Sequence, residues 1–188
     1  MPSLKGYQFI STIFENTKSI IYQAVKEPEG TSVIVKTLKS QYPTLEEIAR
    51  LRNEYNILNS LNIKGVIKPI SLEVYQNSLA LVFQEFGSQS IKTEMASGEK
   101  LDLKLFLKIA INLSKTLEQI HQNQIIHKDI KPHNILLNLQ TGEIEIIDFS
   151  IASKLEKETA QATNPNFLEG TLAYMSPEQT GRMNRSID

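Results

Sequence analysis

The apolar residues of this chain change their spacing several times, and the order of those changes limits what it can fold into. Ile20-Ile21-Tyr22-Gln23-Ala24-Val25 is an apolar, β-branched run. Lys26-Glu27-Pro28-Glu29-Gly30 is a turn signal and Ser32-Val33-Ile34-Val35-Lys36 a second strand, so 7–36 reads as strands containing a hairpin. Helical spacing follows at Leu45, Ile48, Tyr55, Leu58 and Leu61, with Thr44 and Glu47 placed to form a capping box. Strand-like runs return at 66–70 and 79–83, around Gln76-Asn77-Ser78. After the polar break Gly87-Ser88-Gln89-Ser90, Leu105, Ile109, Leu113, Leu117 and Ile120 mark one long helix over 101–122. Two short strands, Ile135–Leu137 and Ile144–Ile147, precede a polar stretch over 153–170 that reads as a loop. This order predicts an α+β chain in two parts that divide near residue 87.

Composition narrows the function classes. The chain holds no cysteine, which excludes disulfides, thiolate nucleophiles and Cys-ligated metals. Twenty basic residues against 21 acidic ones leave a net charge of -1, so no global field favours nucleic acid or an anionic membrane. No apolar run reaches the roughly 18 residues of a membrane span, and Met1 to Gly6 contain no signal-peptide core. A cytoplasmic location is the expectation.

The chemistry concentrates in His127-Lys128-Asp129-Ile130-Lys131-Pro132-His133-Asn134 and in Asp148-Phe149-Ser150. Asp129 and Asn134 share one tight loop, and Asp148 follows a strand expected to pair back on it. An amide oxygen and a carboxylate are hard ligands suited to Mg²⁺. A second carboxylate can orient or deprotonate a hydroxyl, and Lys131 can neutralise a phosphoryl group in transit. Together these groups are the equipment for phosphoryl transfer from a nucleotide.

HKDIKPHN followed by DFS resembles the catalytic loop and metal-binding segment of the eukaryotic-type serine/threonine protein kinases. Val33-Ile34-Val35-Lys36 is similar to their phosphate-binding strand. Glu54 matches the helix glutamate that pairs with that lysine, Phe83-Gln84-Glu85-Phe86-Gly87 the hinge, and Gly170-Thr171 through Ser176-Pro177-Glu178 the end of the activation segment. The run from Gly170 to Arg185 further resembles kinase domains that begin large bacterial multi-sensor signalling proteins. The resemblance implies a bilobal fold with a complete N-lobe over 1–87, an antiparallel sheet plus one helix. An incomplete, mainly helical C-lobe would follow over 88–188. It implies ATP and Mg²⁺ as cofactors and a protein Ser/Thr hydroxyl as acceptor, the chain itself included. It also implies further domains downstream in an intact gene product. In these roles Lys36, oriented by Glu54, would hold the α- and β-phosphates. Asp129 would align the hydroxyl, Lys131 would stabilise the transferred group, and Thr171 would bridge the two. Asn134 and Asp148 would hold the metal. Ile13, Ile21, Ile34, Phe83 and Leu136 would wall the adenine, whose edge the backbone of Gln84 and Phe86 would bind.

Three departures from that family pattern stand out. Phe14, Asn16 and Ser19 occupy the places of three glycines that bring backbone amides to phosphates, where Thr17, Lys18 and Ser19 offer side chains instead. Ser150 replaces a glycine after Asp148-Phe149. Lys128 replaces an arginine and cannot clamp a phosphate in bidentate fashion, which weakens the case for control by phosphorylation at Ser153, Thr159 or Thr163. The chain stops soon after Ser176-Pro177-Glu178, so a fragment of a longer protein is expected. Two other readings stay open: a pseudokinase or regulatory nucleotide-binding module, and a small-molecule kinase. His127 is read as structural, bonding backbone beside the loop, and Glu178 as a structural ion-pair residue.

Overall fold

A computed structural model describes residues 4–87, 89–96, 98, 101–155 and 169–180. The chain packs as two compact units, one formed by Met1–Asn59 with Ile67–Phe86 and the other by Ser60–Val66 with Gly87–Asp188.

The first unit is an antiparallel sheet with one helix, as expected. Its strands are β1 (Tyr7–Glu15), β2 (Ser19–Lys26), β3 (Thr31–Leu38), β4 (Pro69–Tyr75) and β5 (Ser78–Gln84), in the order β1-β2-β3-β5-β4. The register sets Ile21 opposite Lys36, Lys36 opposite Leu81, and Ile34 opposite Phe83. Because side chains alternate along a strand, Val33, Val35, Ala24, Ala80 and Val82 share the other face. There they form a closed core with Leu4 and Tyr75, against which Tyr7, Phe9 and Tyr22 pack. Phe9 and Tyr22 meet edge to face at 4.8 Å.

Helix α1 (Leu45–Ser60) starts at a formed capping box. The Thr44 amide donates to the Glu47 carboxylate at 2.8 Å, and the Glu47 amide returns to Thr44 Oγ1 at 3.2 Å. The helix buries Leu51, Ile57 and Leu58, and with them the carboxylate of Glu54. Each buried aliphatic side chain contributes roughly 1.5–3 kcal/mol.

One strand moves from its expected place. The run 66–70 is not a strand; β4 begins at Pro69 and extends to Tyr75. Proline has no N–H for the ladder and is tolerated at the first residue of an edge strand, which β4 is. Val66 instead makes a single parallel bridge with Ile146 in the second unit.

The second unit contains β6 (Gln89–Ser90), α2 (Ile91–Ala96), α3 (Leu103–Gln122), β7 (Ile125–Ile126), β8 (Ile135–Leu137), β9 (Ile144–Ile146) and β10 (Ser153–Lys154). Asp102 caps α3 by accepting the Leu105 amide at 2.7 Å. The expected stripe faces inward, with Ile109 and Ile120 buried and Leu105, Leu113 and Leu117 half-buried. β8 lies between β6 and β9, and β7 pairs with β10. Two elements overturn sequence expectations. Gln89–Ser90 lies in the expected polar break yet pairs with β8, and Ser153–Lys154 lies in the expected loop yet pairs with β7. Two-residue ladders are fixed by their partners and carry no periodic signal. The rest of the expected loop, 156–168 with Thr159 and Thr163, lies outside the described residues, as does 181–188. No described helix is long and apolar enough to cross a membrane.

Gly65 precedes Val66 with φ +90°, and a Cβ added there would stand 2.4 Å from Thr116 Oγ1. Gly30, at φ +69°, has open space around it. Alanine at either position meets the left-handed penalty of roughly 1–2 kcal/mol. Gly65→Ala is expected to lower the melting temperature clearly more than Gly30→Ala, because only Gly65 adds a clash. Equal shifts in a thermal melt would contradict this packing.

Candidate active site

In the first unit, β3 presents Lys36 and α1 presents Glu54 to one another. Lys36 Nζ donates to Glu54 Oε1 at 2.9 Å and Oε2 at 2.8 Å. The lysine is 8% exposed and the glutamate 0%. Desolvation makes such charges costly unless each satisfies the other, so the pair fixes the height of the lysine head above the sheet. Ile21, Ile34 and Phe83 share the lysine's face of the sheet by register. Ile13 falls at the irregularity of β1 between Thr12 and Phe14 and is 54% exposed. Gln84 ends β5, and its amide donates to Lys68 O at 3.3 Å.

The turn between β1 and β2 lacks glycine and closes on a side chain. Asn16 Oδ1 accepts the amides of Lys18 and Ser19, both at 2.8 Å. Two of the amides that a glycine loop would offer to phosphate are thus already paired within the turn.

In the second unit, the loop 127–134 is anchored by a buried histidine. His127 Nδ1 accepts the Asp129 amide at 3.2 Å, which leaves Nε2–H to donate to Ile147 O at 3.1 Å. The ring packs edge to face on Phe149 at 4.6 Å. Burial pushes the imidazole below its usual pKa, while the bond to Ile147 and the charges of Asp148 and Asp129 pull the other way. The structural role expected for His127 is the one it has.

Asp129 is held at several points. Oδ1 accepts from Thr171 Oγ1 at 2.7 Å, and Oδ2 accepts from Lys131 Nζ at 2.6 Å and Asn134 Nδ2 at 3.0 Å. Lys131 Nζ also donates to Thr171 Oγ1 at 2.6 Å. Asn134 Nδ2 reaches Asp129 O at 2.9 Å as well. Among the described residues the Asn134 side chain bonds through its amide nitrogen, and its Oδ1 is an acceptor by nature. Ile147 N–H donates to Asn134 O at 3.0 Å, which ties the residue before Asp148 to Asn134. An amide oxygen beside a carboxylate fits a small hard cation. Leu136 lies on β8, half-buried, opposite Ser90 and Glu145.

Lys128 and Asp148 both take left-handed backbone, with φ +66° and +63°. Such conformations cost about 1–3 kcal/mol each in non-glycine residues and persist where neighbours over-determine them. Two residues that the sequence did not single out hold Lys128. Glu169 pairs with its Nζ at 3.0 Å, and Gln179 Nε2 donates to its carbonyl at 2.7 Å. They lie 41 and 51 positions away in sequence, so no local pattern announces them.

Removing one partner of the Lys36–Glu54 pair strands a buried charge. Lys36→Met and Glu54→Leu are each expected to destabilise by roughly 3–5 kcal/mol, and the double variant by less than the sum. Additive losses in chemical unfolding would remove the coupling. His127 has a lowered pKa in the folded state, so the unfolded chain binds its proton first as pH falls. The stability it confers is complete above the unfolded value of about 6.5 and is lost as pH falls from there through the folded value. Melts from about pH 7.5 to about 5.5 should therefore drop more steeply for wild type than for His127→Gln.

Comparison with known proteins bears on the family of the chain. A family model described as the protein kinase domain matches residues 7–187. A probable serine/threonine-protein kinase of Clostridium perfringens, CPE1738, is 28% identical over 92% of this chain and 25% of its own length. The serine/threonine-protein kinase PrkC of Bacillus subtilis is 30% identical over 92% of this chain and 26% of its own length. The serine/threonine-protein kinase TIO of Arabidopsis thaliana is 28% identical over 93% of this chain and 13% of its own length. The chain spans about a quarter or less of the length of these relatives. With the kinase-family match covering nearly all of its residues, this chain belongs to the protein kinase domain family.

Proposed function

We propose that this chain is the ATP- and Mg²⁺-dependent catalytic part of a cytoplasmic serine/threonine protein kinase. It would transfer the γ-phosphoryl of ATP to a Ser or Thr hydroxyl of a protein, itself among the acceptors, in signal transduction. Further domains would follow it in the intact gene product. The observation that supports this is the Asp129–Lys131–Thr171–Asn134 network, in which the Asp129 carboxylate accepts from the Lys131 ammonium, the Thr171 hydroxyl and the Asn134 amide nitrogen.

Each residue has a defined task. Asp129, its carboxylate oriented by Thr171 and Lys131, aligns the acceptor hydroxyl and takes its proton as the new bond forms. Lys131 offsets charge on the group in transfer. Lys36, set by Glu54, holds the α- and β-phosphates. Ile21, Ile34 and Phe83, with Ile13 and Leu136, flank the adenine, and the backbone of Gln84 and Phe86 meets its edge. Asn134 and Asp148 would hold Mg²⁺, which when bound neutralises phosphate oxygens.

A regulatory nucleotide-binding module with little phosphotransfer is the second reading, and Asn16 favours it, since its side chain occupies the turn amides. The full-length protein separates the two. Asp129→Asn is expected to keep an Mg·ATP-dependent rise in melting temperature while phosphotransfer falls roughly 10²–10⁴-fold. Asp148→Asn should lose the magnesium-dependent rise. Wild type that binds Mg·ATP without transferring phosphate would establish the second reading, and wild type that binds none would overturn both.

A further inference from the structure

Lys128 and Asp129 are joined by one peptide unit, and that unit is held at both of its polar ends. Its N–H, the Asp129 amide, donates to His127 Nδ1 at 3.2 Å. Its C=O, on Lys128, accepts from Gln179 Nε2 at 2.7 Å. The Gln179 amide is oriented in turn, because its Oε1 accepts from Ser176 N at 3.1 Å and Ser176 Oγ at 3.3 Å. Gly170 lies against the same carbonyl: a Cβ there would stand 2.9 Å from Lys128 O. The Lys128 side chain, 7% exposed, ends on the Glu169 carboxylate at 3.0 Å. Main chain and side chain of one left-handed residue are thus both held by the segment 169–180, which also delivers Thr171 to Asp129.

We propose that Gln179 and Glu169 are positioning residues that clasp Lys128 and thereby set the plane of the peptide leading into Asp129. Gln179 is the main arm. It fixes the carbonyl, and with His127 on the N–H it leaves the plane one orientation. Glu169 is the supporting arm, holding the side chain of the strained residue without needing a phosphate on the segment. Neither touches the reacting atoms. Their effect reaches the reaction through the direction in which the Asp129 carboxylate points.

The inference rests on the phosphotransfer reading, so its test has an activity arm and an arm independent of activity, both in the full-length protein. Gln179→Glu keeps the size of the side chain and its acceptor for Ser176 but removes the donor to Lys128; Gln179→Ala removes both. Each is expected to lower kcat on the order of 10²-fold, the scale of a small misplacement of a reacting group. KM for ATP should stay within about twofold and the melt should stay cooperative, since the ATP contacts are untouched. Glu169→Gln should give a smaller loss of kcat, recovered in the charge-swapped pair Lys128→Glu with Glu169→Lys. An unchanged kcat, or a fall in kcat matched by a rise in KM or by unfolding in both Gln179 variants, overturns the proposal. If wild type transfers no phosphate, the kinase reading falls, and deuterium uptake by the peptide 127–134 decides the clasp alone. Faster uptake in Gln179→Glu at an unchanged melt supports it, and equal uptake overturns it.

Discussion

Everything in the second unit that bears on chemistry depends on satisfying one carboxylate. Asp129 is nearly buried beside Lys131, and a charge withdrawn from water must find partners of comparable strength. It takes them from two stretches of chain: Lys131 and Asn134 on its own loop, and Thr171, 42 residues later. A threonine that accepts from the lysine and donates to the aspartate lets cation and anion share one hydroxyl. The loop cannot take this shape alone, because part of its hydrogen bonding comes from far along the chain.

Strain and support are arranged around that carboxylate. Lys128 before it and Asp148 after β9 both occupy left-handed backbone. Glycine would adopt these angles at no steric cost, yet neither position is glycine. Each carries a side chain that glycine would lack, a lysine that meets Glu169 and an aspartate. The cost is offset by neighbours: Gln179 on the Lys128 carbonyl, and the Ile147 amide on Asn134 just before Asp148. The first unit solves a different problem. There Lys36 and Glu54 are placed by a β-strand and an α-helix without left-handed backbone at either residue, and burial makes their pairing obligatory.

The β1–β2 turn shows how a missing glycine changes a backbone's options. Asn16 bends its side chain back to accept two amides, a local bond that asparagine makes readily in turns. Such a turn is stable without a ligand. A glycine turn leaves its amides open to a phosphate, so the same loop length serves a different balance between self-satisfaction and binding.

The sequence by itself determined the parts whose signals are local. Apolar, β-branched runs around a turn signal marked the hairpin, the Thr44–Glu47 spacing marked the start of α1, and the 105–120 stripe marked α3. It also brought Asp129 and Asn134 onto one loop, since five residues of tight chain cannot separate them far. Where local signals end, tertiary structure decided. The run 66–70 looked like one strand but was divided, because Pro69 cannot donate to a ladder and Val66 found Ile146. The two-residue strands at 89–90 and 153–154 exist only through their partners. The irregularity of β1 between Thr12 and Phe14 arises from its pairing with β2, which no spacing along β1 announces. Glu169 and Gln179 carry no pattern of their own. Their contacts with Lys128 arise only when a segment more than 40 residues away folds back, which no spacing rule along the chain encodes.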